Sequence, residues 1–128
     1  AAVHATPGFS GISLRIGWCQ PGDNTPNQMS VTGTPSISDD KSVSPAPAMY
    51  SQLALGYDNP KKILQWFEKM WFSNRDMLQA IERCIDYESD EYTVVYGMSA
   101  NSDMRWDVQS NPIGYKPIDD VEEAKADL

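Results

Sequence analysis

The chain has 128 residues, 41% of them apolar and 10% aromatic, which is the composition of a single folded domain and not of a disordered segment. Its 18 acidic against 10 basic residues, a net charge of −8, argue against nucleic acid or an anionic membrane surface as partner, since both require a basic face. No secretory leader pattern and no long apolar run is present, and Cys19 and Cys84 are far apart with no CxxC, so two buried thiols in a reduced, cytoplasmic setting are expected.

The first residues, ending in Thr6-Pro7-Gly8, read as the last turn of a helix, which leads us to expect an upstream part. Residues Gly11 to Gly17 alternate Ile12, Leu14 and Ile16 with Ser13 and Arg15, a strand pattern bounded by glycines. Trp18, Cys19 and Gln20 follow in a turn with Pro21 and Gly22. Residues 22–58 are punctuated by proline, glycine, serine and threonine and hold no period. They predict a long loop or lid, with a short helical turn around Met49 to Leu55. Asn59-Pro60 then opens a helix, with Ile63, Leu64, Phe67, Met70 and Trp71 on one face, more naturally a core stripe than a ligand box.

A second helix is predicted from Ser73 to about Tyr87. Ser73 and Asp76 have capping-box spacing, and Met77, Leu78, Ile81, Cys84 and Ile85 form the apolar face. Tyr92 to Tyr96, closed by Gly97, is a β-branched and aromatic run expected to be buried on both sides. A loop follows to Pro117. A short last helix is expected to start at Asp119, with Glu122 as its box partner. Two strands separated by helices predict a parallel pair joined by a crossover, and such sheets carry more strands than this chain supplies. The expected fold class is therefore α/β, the edge of a larger parallel sheet with a long irregular insertion.

Local chemistry motifs are sparse. His4 is the single histidine, so histidine metal sites and Ser-His-Asp triads are not expected. Neither a G-x-G-x-x-G nor a Walker A motif occurs. Asp39-Asp40 and Asp119-Asp120 read as solvated carboxylates. Cys19 has no activating neighbour in sequence, so it is not read as a nucleophile.

The order of segments says more. Gly11 to Pro21 (GISLRIGWCQP) resembles the "LRIGxCxPxP" strand and turn of uronate dehydrogenases, a branch of the extended short-chain dehydrogenases of the NAD-dependent epimerase/dehydratase type. Trp71 to Asp76 (WFSNRD) resembles their "TWxSxDDF", and Val94 to Asn101 (VVYGMSAN) resembles their "VVYGASAN". Trp106-Asp107 and Ile113 to Pro117 resemble "WWDN" and "LGWxPKD". The matches come in order and cover the chain except about residues 22–65.

The resemblance implies that this α/β chain is the C-terminal part of a doubly wound, Rossmann-type parallel sheet without its nucleotide-binding half, from an NAD(P)-dependent oxidoreductase or epimerase acting on a sugar or related hydroxyl or carbonyl compound. Its glycine-rich turn and Tyr-x-x-x-Lys pair would lie upstream, so no catalytic residue and no metal site is expected here. NAD or NADP would belong to the parent protein and not to this chain alone. By position, Trp18, Cys19 and Gln20 would border the cofactor, and Arg15, Ser73, Ser99, Asn101 and Trp106 would serve the substrate. Ser73 also reads simply as a helix cap, Arg15 as a structural ion-pair partner and Trp106 as packing. The family's small hydroxyl residue is replaced by Trp18, and its carboxylate-binding arginine has Gln28 or Gln65 in its place, which points away from a uronate substrate. The expected partners are the nucleotide-binding half, or a second copy meeting the sheet edge, together with a small-molecule substrate. A non-catalytic binding or interaction module derived from the family is the alternative.

Overall fold

A computed structural model describes residues 10–28 and 60–127. The helix tail before Pro7, His4, Asp39-Asp40, the cap at Asn59 and most of the 22–58 loop lie outside the described residues.

The architecture is mixed α/β around a small parallel sheet. Strand β1 (Gly11–Ile16) pairs with β2 (Tyr92–Gly97), in register from Gly11 opposite Tyr92 to Ile16 opposite Gly97. Parallel strands cannot be joined by a tight hairpin, and the crossover here carries helix α1 (Pro60–Glu68) and helix α2 (Asn74–Asp86). A 3-10 turn (Pro26–Gln28) follows β1, and helix α3 (Val121–Ala126) closes the described chain.

Packing explains which faces turn inward. Ile12 and Leu14 of β1 stand beside Thr93 and Val95 of β2 and pack with Phe72, Ala80, Ile113 and Tyr115. Each fully buried large side chain of this set contributes about 1.5–3 kcal/mol relative to exposure. Trp71 and Val121 centre a second cluster, joined by Trp18, Phe67 and Ala124. Ile16, on the same face as Ile12 and Leu14, is exposed at the end of the ladder, opposite Gly97.

Several expectations are corrected. Strand β2 is buried on one side: Thr93, Val95 and Gly97 are covered, while Tyr92 and Val94 are exposed. Helix α1 ends at Glu68, so Met70 and Trp71 lie beyond it, and Trp71 is buried in an extended segment. Helix α2 keeps its expected bounds but is rotated. Asp76, Met77, Ala80 and Cys84 face inward, whereas Leu78 is 59%, Ile81 44% and Ile85 75% exposed.

The cause of that rotation is Asp76. Ser73 Oγ accepts the Asp76 N–H at 3.0 Å, as a cap should, but the Asp76 carboxylate does not reach back to close a capping box. It is fully buried, and its two oxygens accept the N–H groups of Ile118 and Asp119, both at 3.0 Å. A carboxylate with two backbone donors is satisfied in the interior, and it pulls its own face of the helix in with it. Helix α3 starts one residue later than expected, with Asp120 as the cap accepting from the Glu122 N–H.

Candidate functional site

The site is built where the two strands end. Gly17 N–H donates to Gly97 O at 2.8 Å, extending the ladder by one step. The strands then part, and the segment Met70 to Phe72 enters between them. Trp18 N–H donates to Met70 O at 2.6 Å, Phe72 N–H to Trp18 O at 2.7 Å, and Ser99 N–H to Trp71 O at 2.9 Å. Trp18 and Trp71 thus form a parallel bridge beyond the named strands. The approach is so close that a Cβ on Gly17 would lie 2.2 Å from Met70 O and 2.7 Å from Met98 Cγ, which explains the glycine.

Side chains fasten this wedge. Ser73 N–H donates to Ser99 Oγ at 2.9 Å, and Ser73 Oγ–H donates to Asp119 Oδ2 at 2.5 Å. Asn101 donates to Lys69 O and Trp71 O and accepts from Val121 N–H. All three residues, which resemblance assigns to substrate, are buried with their polar groups engaged by the protein itself.

The remaining assigned residues divide between three places. Trp18 and Gln20 lie on the turn after β1, where Trp18 Nε1 and Gln20 Nε2 are buried and have no hydrogen-bond partner among the described residues. Cys19, between them, is a half-buried free thiol. Arg15 is on the open face of the sheet, its guanidinium 5.7 Å from the Tyr96 ring centroid. Trp106 stands apart from the wedge, its ring edge-on to Trp66 at 5.6 Å. These two indoles border a cleft of about 330 Å³ with Lys62, Lys69, Arg105 and Asp103.

The residues that sequence reasoning missed are polar and buried. Asn24 accepts the Gln20 N–H at 2.8 Å and donates to Phe72 O at 2.7 Å, while its own carbonyl receives the Trp71 indole N–H at 2.9 Å. Its left-handed backbone, φ 52°, is a conformation asparagine tolerates, and an asparagine after Pro21-Gly22 was the available signal. Tyr115 buries its ring and donates its hydroxyl to Met98 O at 2.7 Å. Burial above all, then the charges of Asp76 and Asp119, push its phenol far up, so it is a neutral donor and not an acid/base group.

Asp119 and Asp120 are not the solvated pair expected from sequence. Burial raises the Asp119 carboxyl, but hydrogen bonds from Arg75 and Ser73 and the Arg75 charge outweigh it and hold the carboxyl below the ordinary range. Asp120 is likewise raised by burial and lowered more by the Ser102 hydroxyl and the N–H groups of Glu122, Ser102 and Glu123. Both clamp loops to helix ends. Among the described residues no cluster of histidine, cysteine or carboxylate groups could hold a metal ion, and no helix is long and apolar enough to cross a membrane.

No protein-family model matches the chain, and no curated protein or solved structure does either.

Proposed function

We propose that this chain is the substrate-side part of an NAD(P)-dependent oxidoreductase or epimerase of the extended short-chain dehydrogenase type. The substrate would be a sugar or a related hydroxyl or carbonyl compound. One observation carries the reading. Four of the segments that resemble the family, Gly11 to Pro21, Trp71 to Asp76, Val94 to Asn101 and Ile113 to Pro117, are far apart in sequence and converge on one wedge at the carboxyl ends of two parallel strands, while Trp106-Asp107 stands apart from it. In open α/β sheets that edge is where ligands bind.

Two further observations support it. Trp18 Nε1 and Gln20 Nε2 are buried donors without an acceptor among the described residues, and carboxamide or phosphate oxygens of a nicotinamide cofactor are suitable ones. The turn's donor set therefore fits the group. When bound, that cofactor supplies the hydride chemistry. In this reading Ser73, Ser99 and Asn101 hold the wedge together, since their polar groups engage the protein itself. The exposed Leu78, Ile81 and Ile85 stripe and the half-covered face of β2 supply apolar surface for a partner piece or a second copy.

The test is the reading frame that contains this chain. Upstream of Ala1 it should encode a glycine-rich strand-turn-helix and a Tyr-x-x-x-Lys pair, and its full product should bind NAD or NADP. A frame lacking both motifs overturns the proposal.

The second reading, a non-catalytic module, is favoured by the internal engagement of Ser73, Ser99 and Asn101. It requires the 128-residue chain to melt sigmoidally as a monomer without binding nucleotide. A molten, dye-binding profile counts against it.

A further inference from the structure

The cleft between Trp66 and Trp106 differs in chemistry from the wedge at the strand ends. Three of the chain's ten cationic residues, Lys62, Lys69 and Arg105, meet there against a single acid, Asp103, in a molecule of net charge −8. The formal charge of the lining is thus opposite in sign to that of the whole molecule. Lys62 and Arg105 make no ion pair among the described residues, while Lys69 Nζ donates to the Asp103 carbonyl at 3.2 Å. That bond ties the loop carrying Arg105 and Trp106 to the end of α1. Asp103 has the left-handed backbone, φ 57°, that this turn requires.

The two indoles are large apolar groups outside both core clusters, and each is part-exposed. Their rings meet at 71°, so they make a corner and not a stack. A flat ring can lie on the face of one indole and present its edge to the other. An acidic substituent on that ring would then reach the ammonium and guanidinium groups, of which Arg105 offers a planar pair of donors. A volume of about 330 Å³ holds one such ring with its substituent and is at the small end of ligand sites.

We infer that this cleft binds a small organic anion built on a flat ring, an aryl phosphate or aryl carboxylate. Trp106, which the resemblance assigns to substrate, and Gln65 line this cleft, but the inference rests on the charges and the two indoles themselves and not on the dehydrogenase reading.

Phenyl phosphate is the probe, with inorganic phosphate and cyclohexyl phosphate as equally charged controls that lack the aromatic ring. Titrations of the full chain are followed by the indole N–H resonances and by tryptophan fluorescence. Phenyl phosphate is expected to shift the Trp66 and Trp106 signals and to bind at least tenfold more tightly than either control. Arg105→Gln and Trp106→Leu should each weaken it at least tenfold. Should Trp106→Leu fail to fold, the exposed pair Lys62→Gln and Arg105→Gln decides, with an unchanged melting temperature as its folding check. Equal affinity for all three anions, shifts confined to Trp18 and Trp71, unaltered binding by the variants, or no saturable binding each overturns the inference.

Discussion

The backbone N–H of Ser73 donates to the hydroxyl of Ser99 at 2.9 Å, tying the start of α2 to the turn after β2 across 26 residues of chain. Both residues are buried, so Ser99→Ala leaves the Ser73 N–H with no acceptor. The expected loss is about 1–3 kcal/mol in urea denaturation. Ser99→Thr, which keeps the hydroxyl, should recover part of it.

Asp76 is the more costly position. Its carboxylate satisfies two backbone donors in the interior, and Asp76→Ala would strand both. A loss of roughly 3–5 kcal/mol is expected, enough to unfold a marginal domain. A variant that melts within a degree or two of the parent would contradict the geometry.

Glycine tolerance should split by cause. Gly17→Ala sets a methyl group against the Met70 carbonyl and should disrupt the wedge outright. Gly22→Ala meets nothing within 4 Å but must hold φ 78°, so a loss of only about 1 kcal/mol is expected. Thermal melts of the two variants measure the difference.

Acid should destabilise the fold through Asp119 and Asp120. Their folded-state carboxyls titrate below the ordinary value of about 3.9. Where the folded carboxyls stay ionised but the unfolded ones do not, the unfolded chain binds more protons, and stability rises with pH. Their stabilisation is therefore full above the unfolded value and fades as pH falls through the folded ones. Melting temperatures followed from neutral pH to pH 3 should drop steeply at the acid end. Asp119→Asn should flatten that drop.

The exposed stripe of α2 should be dispensable to the chain's own stability. Leu78→Lys with Ile85→Lys is expected to change it by less than about 0.5 kcal/mol, because neither side chain belongs to the core. The same pair should reduce self-association in sedimentation velocity. An unchanged sedimentation profile, if the parent associates, would place the contact elsewhere.

Legibility followed the kind of interaction. The period-2 run at Ile12 and Leu14, the β-branched run at Tyr92 to Tyr96 and the cap at Ser73 are local patterns, and they placed both strands and α2 correctly. The parallel pairing was also legible, because two strands separated by helices cannot form a hairpin. The inward face of α2 was not. Its sequence carries two competing apolar stripes, and the choice between them was made by Asp76 meeting Ile118 and Asp119, more than 40 residues away.

Local backbone preference and charge set both strands, α2, the order of the elements and the acidic balance, whereas the glycine at position 17 answers to the distant Met70 carbonyl. Tertiary structure alone decided that Trp71 leaves the helix to enter between the strands, and that Ser99 and Asn101 serve the backbone. It also brought Lys62 and Arg105 to the same pair of indoles. Those outcomes depend on which distant polar groups must be satisfied once water is gone, and no local pattern carries that information.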